Sequence, residues 1–418
     1  MLRQMEGSHA VAESVALCRP RVVACYPITP QTHIVEHLGM LVKRGDLADC
    51  EYINVESEFA ALSACIGASA MGARTYTATA SQGLLYMMEA VYNTAGLGLP
   101  VVMTLGNRAI GAPINIWNDH SDAMAAQNAG WIQLFVETNQ QAVDVHIQAF
   151  RLAETTSLPV MVCMDGFILT HAHERIDMPD QAQVDRFLPA FEPQQMLDPD
   201  NPVTIGAMVG PEAFTEVRYL AHHKQLEALG TIEEQAQEFR DIFGRDSGGL
   251  VMSHFAEDAE TVVVTLGSVI GTIKSVISEL RDRGESIGAL TIRSMRPFPK
   301  TRVGRMLKNA RRVVVLEKAM AAGIGGILAQ HVRWSLGTYS VPIYSVIAGL
   351  GGRPITRPSL RRLLDRAVKD QLELTHFLDL NIEEVDRELV RQRSGALSGP
   401  AAENILRDIG ALRASKTG

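Results

Sequence analysis

The sequence has few cysteines, and they are spaced too widely to form a self-contained metal site. The 418 residues include five of them, Cys18, Cys25, Cys50, Cys65 and Cys163, and no two make a C-x-x-C pair. An odd, scattered set argues against a disulfide framework and against a zinc or iron–sulfur site held by this chain alone. The sequence therefore predicts a reduced, cytoplasmic location and no metal ligands on this chain.

An excess of positive charge is missing as well. Lys and Arg number 39 against 47 Asp and Glu, a net charge of −8, which argues against a general nucleic-acid binder because such proteins need a cationic surface. The most apolar stretch, residues 83–106, is interrupted by Glu89, Asn93 and Pro100. It is therefore too broken to predict a membrane span, and the amino-terminal residues lack the apolar core of a signal peptide.

Several catalytic and nucleotide-binding motifs are absent. The sequence contains no G-x-x-x-x-G-K-[ST] phosphate loop, no H-E-x-x-H zinc motif and no G-x-S-x-G nucleophile elbow. The glycines at 323–326 follow an apolar run, but after Glu317 the next acidic residue is Asp365. Because a dinucleotide fingerprint needs an acidic residue about 20 positions on, a plain strand-to-helix turn is favoured.

Short apolar runs alternate with helix-prone segments, which is typical of an α/β protein with mostly parallel sheets. In the first half the predicted strands are residues 22–26, 52–55, 75–80, 100–106 and 159–166. Residues 192–260 then carry 14 acidic and 4 basic side chains, which indicates a linker with a helical excursion at about 180–250. A second strand–turn–helix series begins at residue 260.

These patterns predict two α/β domains. The first covers residues 1–250, including the acidic excursion, and the second covers residues 258–370. Residues 371–418 are polar and helix-prone, and we expect them to form a helical tail.

Polar side chains follow the predicted strands of the first domain. Thr29 follows the first strand, Glu58 the second, Ser81-Gln82-Gly83 the third and Arg108 the fourth. The carboxyl ends of parallel strands share one edge of a sheet, where ligands bind. Each residue taken singly also has a structural explanation, since Glu58 could complement a helix dipole and Thr29 could be a turn residue.

Together and in order, these segments resemble the alpha subunit of the 2-oxoacid:ferredoxin oxidoreductases, the pyruvate:ferredoxin oxidoreductase family. The segments that carry the resemblance are YPITPQT at 26–32, VESE at 55–58, TATASQGLLYMMEAVYN at 77–93 and GNRAIGAP at 106–113. Later segments, among them RPFP at 296–299 and AGLGGRPIT, are similar to the family's second domain. The resemblance therefore implies a thiamine diphosphate-binding domain of the pyrimidine type followed by a transketolase C-terminal-like domain.

The resemblance also assigns roles. Members oxidatively decarboxylate a 2-oxoacid with coenzyme A, and thiamine diphosphate supplies the carbanion that attacks the substrate. By this resemblance Glu58 contacts N1′ of the aminopyrimidine, with Glu56 a weaker candidate. Arg108 and Thr29 bind the substrate carboxylate. Ser81, Gln82 and Gly83 line the aminopyrimidine; Asp119, His120 and Asp122 are left outside the predicted site.

This chain is expected to hold only part of the cofactor. The family's diphosphate–metal motif is G-D-G with a later Asn, and the nearest match here is Met164-Asp165-Gly166, which lacks the first glycine. The resemblance therefore implies a beta subunit that carries the diphosphate, Mg²⁺ and a 4Fe–4S cluster. Gamma and delta subunits and a ferredoxin would be further partners.

Alternatives remain open at this stage. Thr29 is neutral and offers no second cation for a dicarboxylate, so pyruvate is favoured, and 2-oxoglutarate and a branched-chain 2-oxoacid stay open as alternatives. One rival is the thiamine-binding subunit of a 2-oxoacid dehydrogenase complex, and another is a non-catalytic assembly or regulatory subunit. Residues 281–318 contain 11 basic and 3 acidic side chains, which indicates either a solvated face or a surface for coenzyme A or an acidic partner.

Overall fold

The computed structural model describes residues 2–394 and 399–411. Its strands are β1 (Leu2–Glu6), β2 (Val22–Cys25), β3 (Glu51–Asn54), β4 (Thr75–Thr79), β5 (Val101–Asn107), β6 (Ile132–Phe135), β7 (Val160–Asp165), β8 (His173–Asp177), β9 (Val251–His254), β10 (Thr261–Thr265), β11 (Ile287–Ile292), β12 (Ser294–Arg296), β13 (Arg312–Glu317), β14 (Ile343–Ile347) and β15 (Thr375–Phe377).

Fifteen α-helices lie between or after these strands in the described parts of the chain. They are α1 (Gly7–Leu17), α2 (Thr32–Arg44), α3 (Glu58–Ala70), α4 (Ser81–Tyr86), α5 (Met88–Gly96), α6 (Ser121–Ala125), α7 (Asn139–Thr156), α8 (Gln181–Phe187), α9 (Phe214–Phe243), α10 (Ile270–Arg281), α11 (Lys300–Leu307), α12 (Ile327–Leu336), α13 (Arg357–Val368), α14 (Ile382–Arg393) and α15 (Ala401–Asp408). None of these helices is long and apolar enough to span a membrane.

The first sheet has the strand order β12-β6-β7-β5-β4-β2-β3. All neighbouring pairs from β6 to β3 are parallel, and β12 alone is antiparallel to β6. Every residue of β5 and β7 is buried, as the continuous apolar runs predict for strands covered on both faces. This arrangement confirms the predicted α/β fold.

The second sheet has the order β15-β14-β13-β10-β11-β9. Its inner pairs, β14 with β13, β13 with β10 and β10 with β11, are parallel, and β9 joins antiparallel to β11. The strand β12, which follows β11 in the chain, belongs to the first sheet instead. One hydrophobic cluster joins side chains of both sheets, for example Met103 and Val264, so the two layers share a core.

The acidic excursion is more than a linker. Its main element is α9, whose second half buries Ile232, Phe239 and Phe243 in the core formed with α7 and α8. Its first half exposes Phe214, Tyr219 and other apolar side chains.

Residues 377–411 form a separate compact unit. Within it, α14 and α15 are joined by an ion pair in which Arg391 Nη2 lies 2.9 Å from Asp408 Oδ2. Residues 395–398 and 412–418 of the predicted helical tail lie outside the described residues.

The basic residues at 281–318 do not all lie on one surface. Arg293, Arg312 and Lys318 are buried, because each is paired with a carboxylate elsewhere in the chain. The exposed basic side chains that lack an ion pair within the described chain are concentrated at α11.

Candidate active site

The polar residues predicted from the sequence lie at the carboxyl ends of four adjacent strands. In sheet order these strands are β5, β4, β2 and β3. Arg108 follows β5, Ser81 follows β4, Thr29 follows β2 and Glu58 begins the helix after β3. Because the strands are parallel, all four chain segments leave the sheet at the same edge. The topology thus brings together residues that span 80 positions of sequence.

Glu58 is the first residue of α3. The helix begins there because Ser57 is its N-cap, and the Ser57 hydroxyl accepts a hydrogen bond from the Ala60 amide at 3.2 Å. Glu58 is only 7% exposed, yet no described residue donates a hydrogen bond to its carboxylate. The side chain is thus mostly enclosed, but its oxygens are not among the fully buried unpartnered atoms, so a ligand at this edge can donate a hydrogen bond to them.

Gly83 lies directly beneath this carboxylate. A Cβ built on Gly83 would lie 2.7 Å from Glu58 Oε1 and 2.5 Å from Thr79 Oγ1. The Thr79 hydroxyl is itself buried without a hydrogen-bond partner. Glycine is therefore required here by close packing, and the unpartnered carboxylate and hydroxyl lie side by side above it.

Arg108 lies across the same edge and is 6% exposed. Its Nη1 donates to the Thr29 carbonyl at 3.0 Å and its Nε donates to the Asn115 carbonyl at 2.9 Å. Burial lowers the pKa of Arg108 from its ordinary value, with the carboxylate of Asp122 acting in the opposite direction. Among the described residues no carboxylate pairs with this guanidinium, so it can receive an anionic ligand.

Ser81 and Gln82 are held by the loop that follows β5. Ser81 has a left-handed backbone (φ 47°), and its hydroxyl donates to the Ala109 carbonyl at 2.6 Å. The Gln82 side chain packs against Gly111, where an added Cβ would lie 2.5 Å from Gln82 Nε2. These contacts fix the loop over the ends of β4 and β5.

Asp122, which the sequence interpretation left outside the site, organises these two strand ends. Its fully buried carboxylate accepts hydrogen bonds from the amides of Ser81, Arg108 and Ala123 and from Asn107 Nδ2, at 2.8–3.0 Å. Burial raises the pKa of Asp122 to about 7, and these donors oppose the rise. The signal in the sequence was the pair Asp119 and Asp122 in WNDHSD, which follows the Arg108 loop.

The second sheet closes one side of this edge through a buried ion pair. Asp165, at the end of β7, accepts from Lys318 Nζ at 3.3 Å, from the Ser268 amide at 3.0 Å and from His120 Nε2 at 2.6 Å. Burial by itself raises the pKa of Asp165, but Lys318 and His120 outweigh it and hold the pKa well below its usual range. Asp165 lies in Met164-Asp165-Gly166, the nearest match in the sequence to the diphosphate–metal motif. Its carboxylate therefore joins the two sheets.

A second contact between the sheets lies at the loop after Arg108. The Gly351 amide donates to Asp119 Oδ2 at 3.1 Å, and Asn115 Nδ2 donates to the Gly351 carbonyl at 3.1 Å. Gly352 approaches Trp117 closely, with an added Cβ 2.4 Å from the Trp117 Cβ. The glycine-rich turn after β14 thus supports the loop that carries Arg108.

The glycine turn at 323–326 is filled by a side chain of the protein. Glu317 accepts hydrogen bonds from the amides of Leu328 and Ala329, at 2.7 and 3.2 Å, at the start of α12. Burial raises the pKa of Glu317 to about 7. The helix end that a dinucleotide phosphate would use is therefore occupied by this carboxylate. In the described parts of the chain no cluster of His, Cys, Asp and Glu has the arrangement of a metal site.

Large apolar side chains surround the candidate site. Tyr26, Phe59, Tyr86, Ile114 and Trp117 are between 37 and 80% exposed, and each belongs to a segment that follows one of the four strands. Exposed apolar groups gathered around a polar cleft are typical of a protein–protein contact surface.

Two family models match the chain. The family described as pyruvate flavodoxin/ferredoxin oxidoreductase, thiamine diphosphate-binding, matches residues 13–238. The family described as pyruvate:ferredoxin oxidoreductase core domain II matches residues 259–359.

Curated relatives cover most of the chain. Pyruvate synthase subunit PorA of Methanosarcina barkeri is 49% identical over 370 residues, 87% of this chain and 92% of that protein. Ketoisovalerate oxidoreductase subunit VorA of Pyrococcus abyssi is 38% identical, over 86% of this chain and 92% of that protein.

Solved structures share the fold. A 2-oxoglutarate:ferredoxin oxidoreductase from Magnetococcus marinus aligns with a TM-score of 0.65 and 19% identity, over 89% of this chain and 65% of that chain. A split gene transketolase, an inactive beta4 tetramer, aligns with a TM-score of 0.53 and 12% identity, over 88% of this chain and all of that chain. The present chain thus spans about 65% of the length of the oxidoreductase chain it resembles.

Proposed function

This chain belongs to the 2-oxoacid:ferredoxin oxidoreductase family as an alpha subunit, and we propose that it supplies the aminopyrimidine and substrate-carboxylate contacts of the active site. The reaction is the oxidative decarboxylation of a 2-oxoacid, with pyruvate favoured, with coenzyme A to acyl-CoA, carbon dioxide and reduced ferredoxin. The observation that carries the proposal is the buried, unpartnered carboxylate of Glu58 above Gly83.

The residues around Glu58 fit the pyrimidine half of thiamine diphosphate. The absence of a side chain at Gly83 leaves room for the Glu58 carboxylate at this strand end, and the unpartnered Thr79 hydroxyl adds a polar group beside it. When bound, the cofactor supplies a carbanion that attacks the 2-oxo carbon. Glu58 holds the proton at N1′ of the ring, as a carboxylate within hydrogen-bond reach of that nitrogen can. Ser81 and Gln82 line the same side and keep the loop above it in place.

Arg108 binds the substrate carboxylate in this proposal. Its buried guanidinium has no ion pair within the described chain, and a planar fork of donors matches a carboxylate. The Thr29 carbonyl fixes the guanidinium at 3.0 Å, and the exposed, neutral Thr29 side chain adds no second cation. That neutrality favours pyruvate, the 2-oxoacid in the name pyruvate synthase that several relatives 40–49% identical carry.

A partner subunit completes the site. We assign the diphosphate, Mg²⁺ and a 4Fe–4S cluster to a beta subunit, and onward electron transfer to gamma and delta subunits and ferredoxin. The exposed apolar side chains around the strand ends support a partner that covers this edge. The free cysteines agree with a reducing, cytoplasmic location.

We also propose the domain division that the sequence predicts. In this proposal residues 1–250 contain the pyrimidine-type domain and residues 258–370 the transketolase-C-like domain, and the tail begins at residue 371. The two family matches, at 13–238 and 259–359, support the division.

The experiment is Glu58→Gln in the assembled complex, with Glu56→Gln as the matched control. Glu56 is an exposed carboxylate two positions away. Viologen reduction with pyruvate and coenzyme A should fall at least about 100-fold in Glu58→Gln and stay near normal in Glu56→Gln. Near-normal turnover of Glu58→Gln would refute the assignment.

A further inference from the structure

A cavity of about 530 Å³ lies at the opposite edge of the first sheet, beside the amino ends of its strands. Gly96 precedes β5, Trp131 precedes β6 and Leu158 precedes β7, and all three residues line it. Its other walls come from the first half of α9, from α12 and from residues 296–298. The cavity is therefore separate from the candidate active site, which lies at the carboxyl ends.

The cavity has a positive charge that no carboxylate balances. Arg296 donates to the Gln127 carbonyl at 2.9 Å, to Gln127 Oε1 at 2.6 Å, to the Met295 carbonyl at 2.7 Å and to His331 Nε2 at 2.8 Å, and all of these acceptors are neutral. Arg218 adds a second cation, and among the described residues no Asp or Glu lines the cavity. A cation withdrawn from water without a counter-ion is unfavourable, and a bound anion would offset that cost.

Three aromatic rings, those of Trp131, Phe298 and Trp334, contribute to the walls. Trp131 and Phe298 are almost fully buried, whereas Trp334 is 56% exposed at the rim. The Lys300 ammonium lies 4.2 Å from the centre of the Trp334 ring, so the exposed ring is held in place beside a further cation. Flat aromatic faces beside cations suit a planar ring that carries a negatively charged group.

We propose that this cavity is a second ligand site, for a nucleoside phosphate. The phosphate lies toward Arg296 and Arg218, and the base stacks on the aromatic wall at Trp334. The volume of about 530 Å³ falls within the range of about 300–1,000 Å³ usual for small-molecule sites. The chemistry is shared by free nucleotides and the nucleotide part of coenzyme A. The position at the amino ends of the strands favours a free nucleotide, because the acyl acceptor must reach the opposite edge.

The test is equilibrium dialysis of the assembled complex with labelled ADP, in the presence of saturating coenzyme A. Saturating coenzyme A fills the substrate site and would also displace ADP from a cavity that takes the nucleotide part of coenzyme A, so the ADP binding that remains reports a cavity selective for free nucleotides. Arg218→Gln and Trp334→Leu should each weaken this binding by about five-fold or more. Both positions are at the surface, so the variants should fold even if a change at Arg296 does not.

Matched controls are Arg302→Gln and Tyr339→Leu, which remove an exposed cation and an exposed aromatic ring outside the cavity. They should bind ADP as the wild type does. Adenosine and inorganic phosphate should each bind far more weakly than ADP, since each lacks one half of the recognised chemistry. Loss of all ADP binding in saturating coenzyme A, binding unchanged in both cavity variants, or phosphate binding as tight as that of ADP would each overturn the proposal. The readout is binding without turnover, so a failed assignment of Glu58 would not affect it.

Discussion

Replacing Asp165 by Asn should destabilise the protein strongly, because it leaves the Lys318 ammonium buried without a counter-charge. The two groups lie 3.3 Å apart, and their side chains are 1% and 5% exposed. Removing one partner of such a buried pair costs about 3–5 kcal/mol. The pKa of Asp165 is held well below its usual range, so the carboxylate is ionised throughout the neutral range.

Urea unfolding of the full chain measures this loss. Asp185→Asn is the matched control, because Asp185 pairs with Arg19 at 2.6 Å on the surface, where the side chains are 42% and 58% exposed. An exposed pair contributes only about 0–1 kcal/mol, so the control should remain close to the wild type.

A double variant separates the unpaired charge from other effects. Asp165→Asn combined with Lys318→Met removes both charges, and most of the lost free energy of unfolding should return because no buried ion is left alone. If Asp165→Asn costs no more than Asp185→Asn, or if the double variant is as unstable as the single one, the reasoning is wrong.

Two further predictions concern the candidate site and the pH dependence of stability. Gly83→Ala should lower turnover about 100-fold, since the new methyl group must displace the Glu58 carboxylate, whereas Gly67→Ala in the same helix as Glu58 meets nothing within 4 Å and should leave turnover unchanged. Activity of Gly83→Ala equal to that of Gly67→Ala would contradict this geometry. Burial and the neighbouring imidazoles hold the pKa of His9 below its ordinary value, so the folded state binds fewer protons than the unfolded chain. The contribution of His9 to the free energy of unfolding is therefore fully present above about pH 6.5, and it is lost as the pH falls through the lowered pKa. His9→Gln should lose less stability than the wild type between pH 7.5 and 5.5 in thermal unfolding, and an unchanged slope would refute the assignment.

The alternation of strands and helices could be predicted because the local pattern is strong. The runs at 101–107 and 160–165 are mostly apolar, and the run at 75–79 alternates Thr with Tyr and Ala. Such β-prone runs are typical of strands covered on both faces. The strand β12 could not be predicted, because it is three residues long and pairs with β6, more than 150 positions earlier in the chain. No pattern within these three residues indicates which sheet the strand joins.

The basic segment at 281–318 shows the same limit. Charge counts suggested one surface, yet Arg312 reaches Asp370 at 2.8 Å and Arg293 reaches Glu137 at 3.3 Å. Partners so far away in sequence neutralise these charges in the interior. Composition records the number of charges but not their positions.

By itself the sequence determined the α/β class, the family resemblance and the candidates Thr29, Glu58, Ser81 and Arg108. These follow from local periodicity and from ordered motifs that are contiguous in the chain. Only the tertiary structure decided that Glu58 lies unpartnered above Gly83, that Asp122 ties two strand ends together and that Asp165 joins the two sheets. The scarcity of cysteines and the lack of a complete diphosphate motif are properties of composition, whereas these contacts depend on strand order and on distance, which no local pattern encodes.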